Sequence, residues 1–447
     1  MTSQPAVTMS RAARSSEDIV ISQPDLTAKV PSEVIRKVFT FVVLSSEDSR
    51  SRAVKTLCLV NTRWNRIAND AAFLWTKVTL IYPFHPYQLS AVEKWLRASK
   101  QLPIDVEIDF HDPTSQRYPL RYPKNLRGII TALQGSECRW RSLTIKSEIW
   151  SPIVNFLRMW VIPSLPLLES MSLQYGGRTF RVGSDRFYCL QSAEYPILFG
   201  GKGVLMPKLR EASLDAVHVD WTMAATSFRN LCKLEMRNQC QQTGPNIEQL
   251  AALLAASPTL EVLDFTGYCP TLVSTWSTPT PLVHLPALRR LTLGWSMLDH
   301  MCQFLKMFQI PKTLDTLVLV DTDSQLTDFR GENAHSSDSS QIFETLAELA
   351  VENPKDSLRP WISMLGLRSL KMSWIKSSRN AVFAFMKRTA VIEEIYLDHP
   401  SQGVLKGVTD FMEASYPGFL DKKVRIWNGG YEPEEARLFI VPRGYRK

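Results

Sequence analysis

One pattern governs what this chain can fold into: apolar, two other residues, apolar, one other, apolar, returning along most of its length. Its clearest copies are Leu260-Leu263-Phe265, Leu288-Leu291-Leu293, Leu314-Leu317-Leu319, Leu367-Leu370-Met372 and Ile392-Ile395-Leu397. Weaker copies are Trp75-Val78-Leu80, Trp140-Leu143-Ile145, Leu168-Met171-Leu173, Leu209-Ala212-Leu214 and Leu231-Leu234-Met236, while Val106/Ile108 and Val424/Ile426 keep the last two positions. With the middle residue as marker, the copies fall at 78, 106, 143, 171, 212, 234, 263, 291, 317, 370, 395 and 424, with a median step of 28. The closing alternation is that of a strand with one buried face. Between strands, Gln88–Ser99, Leu126–Leu133, Ile247–Ala256, Met297–Phe308 and Arg379–Arg388 have helical periodicity. One strand and one helix hide their apolar faces only against neighbours, so units of this length must stack, three or more together. The pattern predicts a mixed α/β chain of stacked strand–helix units over residues 77–447, interrupted by insertions at 176–205 and 321–360. Pro166, Pro207, Pro258, Pro286 and Pro311 stand before strands and are read as stops for the preceding helices.

Residues 28–76 carry a different signal. Val30, Val34, Val38 and Val42 recur every four residues with Ile35 and Phe39 beside them, giving one wide apolar helix face. Pro31 suits the first helical turn and Glu33 complements its positive end. After a polar break at 45–51, Leu57, Val60, Trp64, Ile67 and Ala68 again sit at helical spacing. Such a short three-helix module buries little area alone and is expected to leave Val34, Ile35, Val38, Phe39, Leu57 and Trp75 partly exposed for a partner to cover. Residues 1–27, rich in Ser, Thr, Gln and Pro without an apolar core, read as a disordered tail with no secretory signal.

The module resembles the F-box. Val30-Pro31-Ser32-Glu33 stands for the family's L-P-x-E opening, Leu57, Val60, Arg63 and Trp64 for its middle, and Leu74-Trp75 for its closing pair. Val30 replaces the usual Leu, and Asn61-Thr62 replaces a common Cys-Lys or Cys-Arg. The resemblance covers about a tenth of the chain. It implies docking to a Skp-family adaptor, and through it to a cullin–RING ubiquitin ligase, by Val30, Pro31, Val34, Ile35, Val38, Phe39, Leu57, Val60, Trp64, Leu74 and Trp75. The array is similar to long leucine-rich repeats, which makes the expected fold an irregular strand–helix solenoid. Where that family places Asn or Cys after the strand, this chain has Gly176, Val217, Tyr268, Ser296, Thr322, Ile375 and Pro400, so no asparagine ladder is expected.

Composition narrows the function. Hydrophobic residues at 45% and charged residues at 21% exclude wholesale disorder. Seven scattered cysteines without C-x-x-C spacing fit reduced thiols, hence a cytoplasmic or nuclear setting. The apolar stretch 149–168 contains three prolines and Arg158, which argues against a membrane span. No H-E-x-x-H, G-x-S-x-G or phosphate-loop spacing occurs, and Gly200-Gly201-Lys202-Gly203 lacks the following Ser or Thr. No catalytic residue, metal ligand or cofactor is therefore assigned. Strand parity turns Tyr175, Trp295 and Trp374 inward and sends Glu235, Asp264, Thr292 and Asp398 to the open face. On that face Lys233, Arg237, Arg290, Lys371 and Tyr396 are the expected contacts to an acidic or phosphorylated substrate protein. The function this implies is a non-catalytic substrate-recognition subunit of a Skp/cullin/F-box ligase. A binding scaffold outside ubiquitin ligation is the alternative. Nucleic acid is a weaker one, since the basic clusters near 117–124 and 443–447 are short.

Overall fold

A computed structural model describes residues 26–45, 50–111, 123–148, 150–176, 198, 204–239, 244–267, 282–295, 297–322, 338–350, 359–389, 392–415 and 423–427. Residues 1–25 of the expected tail, the Gly200–Gly203 segment, the basic cluster 117–122, the C-terminal cluster and most of both insertions lie outside these residues, whereas Leu26 and Thr27, expected in the tail, belong to a 3-10 helix, Leu26–Lys29, held by Arg63 and Trp64. The chain divides into two compact units between Asp70 and Ala71.

The first unit holds three helices, α1 (Ser32–Ser45), α2 (Arg50–Val60) and α3 (Thr62–Asp70). Pro31 stands just before α1, and its carbonyl accepts from Val34 N and Ile35 N at 3.1 and 3.2 Å. The core is made by Ile35, Phe39 and Val43, one turn apart on α1, with Val54, Leu57, Ile67 and Ala68 from the other helices. Asn61 caps α3: its Oδ1 accepts from Trp64 N at 2.7 Å, so this departure from the family pattern has a local job.

The second unit is mixed α/β. Its strands are β1 (Lys77–Ile81), β2 (Ile104–Asp109), β3 (Trp140–Ser147), β4 (Ser170–Tyr175), β5 (Glu211–Asp215), β6 (Lys233–Arg237), β7 (Val262–Phe265), β8 (Val283–His284), β9 (Arg290–Trp295), β10 (Phe308–Ile310), β11 (Thr316–Asp321), β12 (Trp361–Ile362), β13 (Ser369–Ser373), β14 (Glu394–Asp398) and β15 (Lys423–Trp427). Twelve of them form one parallel sheet in the order β1-β2-β3-β4-β5-β6-β7-β9-β11-β13-β14-β15. Each of the twelve sequence markers lies in one of these strands, and the markers are register partners, from Val78↔Val106 to Ile395↔Val424. The first eleven are at most 2% exposed. The parity that buries them is therefore real along the sheet. Helices such as Pro86–Ala98, Ile247–Ala255 and Arg379–Met386 bury one face each between the strands.

Two features went unforeseen. A second parallel ladder, β12-β10-β8, together with a bridge between Ser164 and Leu205, lies outside the main sheet. Pro166, Pro207, Pro286 and Pro311 follow these short strands or bridges rather than ending helices, because a residue without an N–H cannot extend the ladder. Only Pro258 follows a helix as expected.

The turns after the strands also differ from expectation. Ala216, Asn238, Gly267, Trp374 and His399 all have φ between 48° and 72°, each two residues past the last apolar strand position. Their N–H groups carry the ladder beyond the strands: Ala216 N donates to Arg237 O, Asn238 N to Thr266 O and Trp374 N to Asp398 O, each at 2.8 Å. The left-handed turn explains why Trp374 leaves the core that parity predicts; it is half-buried and stacks on His399 with centroids 3.7 Å apart. Tyr175 is likewise half-buried, whereas Trp295 is buried as expected. One residue further on, Gln239 donates to Leu214 O at 2.8 Å and Thr322 to Trp295 O at 2.6 Å. These two buried side chains satisfy turn carbonyls, so the expected absence of such donors holds only in part.

Candidate functional site

Among the described residues no group of three His, Cys, Asp or Glu is placed to hold a metal ion. No helix among them is long and apolar enough to cross a membrane. The features that remain are two surfaces.

The first is on the helical unit. The eleven residues expected to meet an adaptor divide sharply. Ile35, Phe39 and Leu57 are its core, 4%, 0% and 6% exposed, and so are not a face left open for a partner. Trp64 is half-buried; its Nε1 donates to Thr27 Oγ1 at 2.9 Å and its ring packs on Phe39 at 5.0 Å. Arg63 braces the same corner, donating to Thr27 O and to Val30 O. Val30 is thus held by its backbone and is half-buried. Leu74 and Trp75 belong to the other unit, in the 3-10 helix Ala72–Trp75, where Trp75 packs edge-on against Trp95 at 4.9 Å. Ile35, Phe39 and Leu57 bury because the helical unit closes its own core, which the wide apolar pattern concealed, whereas Leu74 and Trp75 bury within the second unit.

What stays outside is a second stripe. Val34, Val38 and Phe41, spaced i, i+4 and i+7 on α1, are 46%, 49% and 75% exposed, with Leu44 at 53%. Leu59 and Val60 at the end of α2 are 84% and 52% exposed, and Pro31 is exposed as well. Phe41 and Leu44 border a shallow hollow with Lys37, Thr40 and Ser45. Phe41, Leu44 and Leu59 were missed in the sequence. The signal was there, since α1 has apolar residues at helical spacing on both sides.

The second surface is the sheet face of alternate residues. Its cations are largely spent. Lys233 Nζ lies 2.9 Å from Glu235 Oε1, and Arg237 Nη2 bridges Glu235 at 3.1 Å and Asp264 at 2.7 Å. Burial works against the charge on Glu235, yet Lys233, Arg237 and a hydrogen bond from Ser213 hold its carboxyl below the usual range. Glu107 behaves alike: burial opposes its charge, and Lys146 and Lys77 at 2.8 and 3.1 Å overcome it. Arg141 pairs with Asp105 at 2.5 Å. Asp215 is the exception, pushed up by burial against a hydrogen bond from Asn238. Among the described residues Asp109, Glu211 and Asp215 have no ion pair.

Of the expected substrate contacts, then, Lys233 and Arg237 are each ion-paired to neighbouring carboxylates while their side chains stay partly exposed. Arg290 is exposed and Lys371 half-buried, its ammonium 5.8 Å from the ring of half-buried Tyr396. Asp264 and Thr292, expected on the open face, are buried, 6% and 5% exposed. A row at the strand entrances was missed altogether. Arg141, Glu169, Arg210, Glu261, Arg289, Asp315, Arg368 and Glu393 sit two residues before their markers and alternate in sign across the sheet, with Cys232 between Arg210 and Glu261. Their backbones are joined in sequence, as in Glu169 N to Arg141 O at 2.7 Å and Asp315 N to Arg289 O at 2.8 Å. The chain matches no protein-family model and no curated protein.

Proposed function

We propose that this chain is a substrate-recognition subunit of a Skp/cullin/F-box ubiquitin ligase, with the helical unit docking a Skp-family adaptor and the sheet face meeting a substrate protein. The observation that carries the proposal is the outward stripe Val34, Val38, Phe41 and Leu44, on the helix that opens with Val30-Pro31-Ser32-Glu33. An exposed apolar patch of this kind marks a protein contact. In support, the twelve in-register strands with left-handed turns and with Gln239 and Thr322 on turn carbonyls read as a divergent leucine-rich-repeat-like solenoid. On this reading the chain supplies no bond-making group. It raises the effective concentration of a substrate lysine near the conjugating enzyme by tethering alone.

The test is capture of a Skp-family adaptor by the full chain. Val34→Asp with Val38→Asp places charge on exposed positions, so the fold should survive while capture falls to background. Ile35→Ala is unsuitable as a docking probe, because Ile35 lies in the core. Wild-type chain that captures no adaptor would leave a binding scaffold outside ubiquitin ligation as the better account. For the sheet face, Arg290→Glu with Lys371→Glu and Tyr396→Ala should lower substrate capture and leave adaptor capture intact.

A further inference from the structure

The open face of the sheet is divided by charge. At its alternate positions β1–β7 carry seven acids, Asp105, Glu107, Asp109, Glu211, Asp215, Glu235 and Asp264, against four cations, Lys77, Lys146, Lys233 and Arg237. This half of the face is acidic on a chain whose net charge is +8. All four cations are paired with acids of the same face. Three acids have no ion pair among the described residues. Asp109 accepts from His111 N and Asp215 from Asn238 Nδ2, both at 2.8 Å, and Glu211 is exposed. Arg290 and Lys371, the cations of this face without an ion pair among the described residues, lie beyond β7.

The acids fall into two groups. One is on β2, the other on β5–β7. Between them β3 and β4 present neutral side chains, Ser142, Thr144, Ser170, Ser172 and Gln174, with Lys146 paired back to Glu107 at 2.8 Å. β2 and β5 are three strand steps apart, about 14 Å. In an extended segment laid across the strands, residues i and i+4 point to the same side and stand about 13 Å apart. The same face also holds a polar group with no partner. Thr292, register partner of Asp264, is 5% exposed, and its Oγ1 makes no hydrogen bond among the described residues.

We infer that the acidic half of the sheet face takes an extended segment of a partner protein carrying Lys or Arg at i and i+4, one over β2 and the other over β5. The inference rests on the proposed substrate-binding role of the face and names the substrate class, the reverse of the acidic or phosphorylated one expected from Lys233 and Arg237. One ammonium meets Asp109 and the other meets Glu211 and Asp215, the acids for which the chain brings no ion pair. The short neutral side chains of β3 and β4 let the segment lie flat between them. Past Asp264, Thr292 offers its hydroxyl to the backbone of the same segment. A nucleic acid or a phosphorylated segment is repelled by these acids.

The experiment uses the full chain and three fluorescein-labelled peptides of Ser, Thr and Gly, read by fluorescence anisotropy. One carries Lys at i and i+4, one Lys at i and i+3, and one Glu at i and i+4. The first is expected to bind, and the other two at least about tenfold more weakly. The net charge of +8 makes unspecific attraction favour the Glu peptide, so it cannot imitate this order. Asp109→Asn with Asp215→Asn keeps both acceptor oxygens and should weaken the first peptide by about tenfold at low salt, with the difference shrinking as salt is raised. Glu169→Gln with Glu261→Gln, an equal loss of charge at exposed positions in the strand-entrance row, should leave that affinity unchanged. A Glu peptide that binds as well as the first, equal binding of the two Lys spacings, or equal effects of the two double variants overturns the inference. Failure to capture a Skp-family adaptor while the peptides keep the expected order removes the ligase role and keeps the basic partner. Adaptor capture without that order overturns the inference and leaves the ligase role standing.

Discussion

His218 makes the stability of the larger unit depend on pH in one direction only. It follows β5 between Val217 and Val219, both fully buried, is itself 3% exposed, and stacks on Trp150 with centroids 4.2 Å apart. Burial disfavours the imidazolium and pushes its pKa down from 6.5 to about 4. Above the ordinary value both folded and unfolded chains are neutral here, and the group is silent. Between the two values the unfolded chain takes up a proton that the folded chain refuses, so stability falls as the pH falls, by about 1.4 kcal/mol per unit. Below the folded value both states are protonated and the loss levels out near about 3 kcal/mol. The perturbation is His218→Phe, which keeps a flat ring against Trp150 and removes the titration. Urea midpoints followed by tryptophan fluorescence at about pH 7 and about pH 4.5 are compared for the two proteins, so that carboxylates titrating in the same window cancel. Any packing change in the variant shifts both measurements equally. Wild type should lose about 2–3 kcal/mol more than the variant on acidification. Parallel losses in the two proteins would show that His218 takes up its proton without opening the fold.

Three further outcomes are expected. Gly403→Ala would put a Cβ 1.9 Å from Ser377 O, and Gly366→Ala one 2.0 Å from Lys312 O; since backbone must move in each case, either should cost about 1–3 kcal/mol or more in thermal or urea unfolding. Arg63→Ala removes two charge-assisted bonds to the carbonyls of Thr27 and Val30; protection of residues 26–70 in hydrogen exchange should fall by about 2 kcal/mol, with little change beyond Ala71. Arg289→Glu sets an acid between Glu261 and Asp315 and should cost about 1 kcal/mol in urea at low salt, with part restored by adding Glu261→Arg.

The strands were legible because the marker residues answer to a single demand. Val78, Leu143, Leu263 and Leu370 are buried whatever the neighbouring turn does, and a parallel sheet places identical positions side by side. The turns were not legible, because their donors need only the right reach. Gln239 and Thr322 satisfy carbonyls where an asparagine was sought, and Ala216 and Trp374 take φ near 50–60° in turns where glycine or asparagine is the usual signal. The short strands β8, β10 and β12 escaped notice for another reason: two or three residues carry no periodicity, and the prolines beside them have a second meaning.

On the helical unit the sequence pattern located the right helix and blurred its sides. Every fourth residue from Val30 to Val42 is apolar, with Ile35 and Phe39 between, so the stripe that closes the core and the stripe that faces outward merge into one wide band in the sequence. Only the packing separates Ile35, Phe39 and Val43 from Val34, Val38 and Phe41. The separation has a consequence for how such modules work. A helix whose inward stripe alone closes the unit can afford substitutions on its outward stripe without unfolding, so partner affinity and stability can change independently. In this chain Arg63 and Trp64 reinforce that independence by tying residues 27–30 to α3. The sheet face shows the converse arrangement. Lys233, Glu235, Arg237 and Asp264 neutralise one another, so substitution of any one leaves an uncompensated charge that alters both the surface and the strands beneath it.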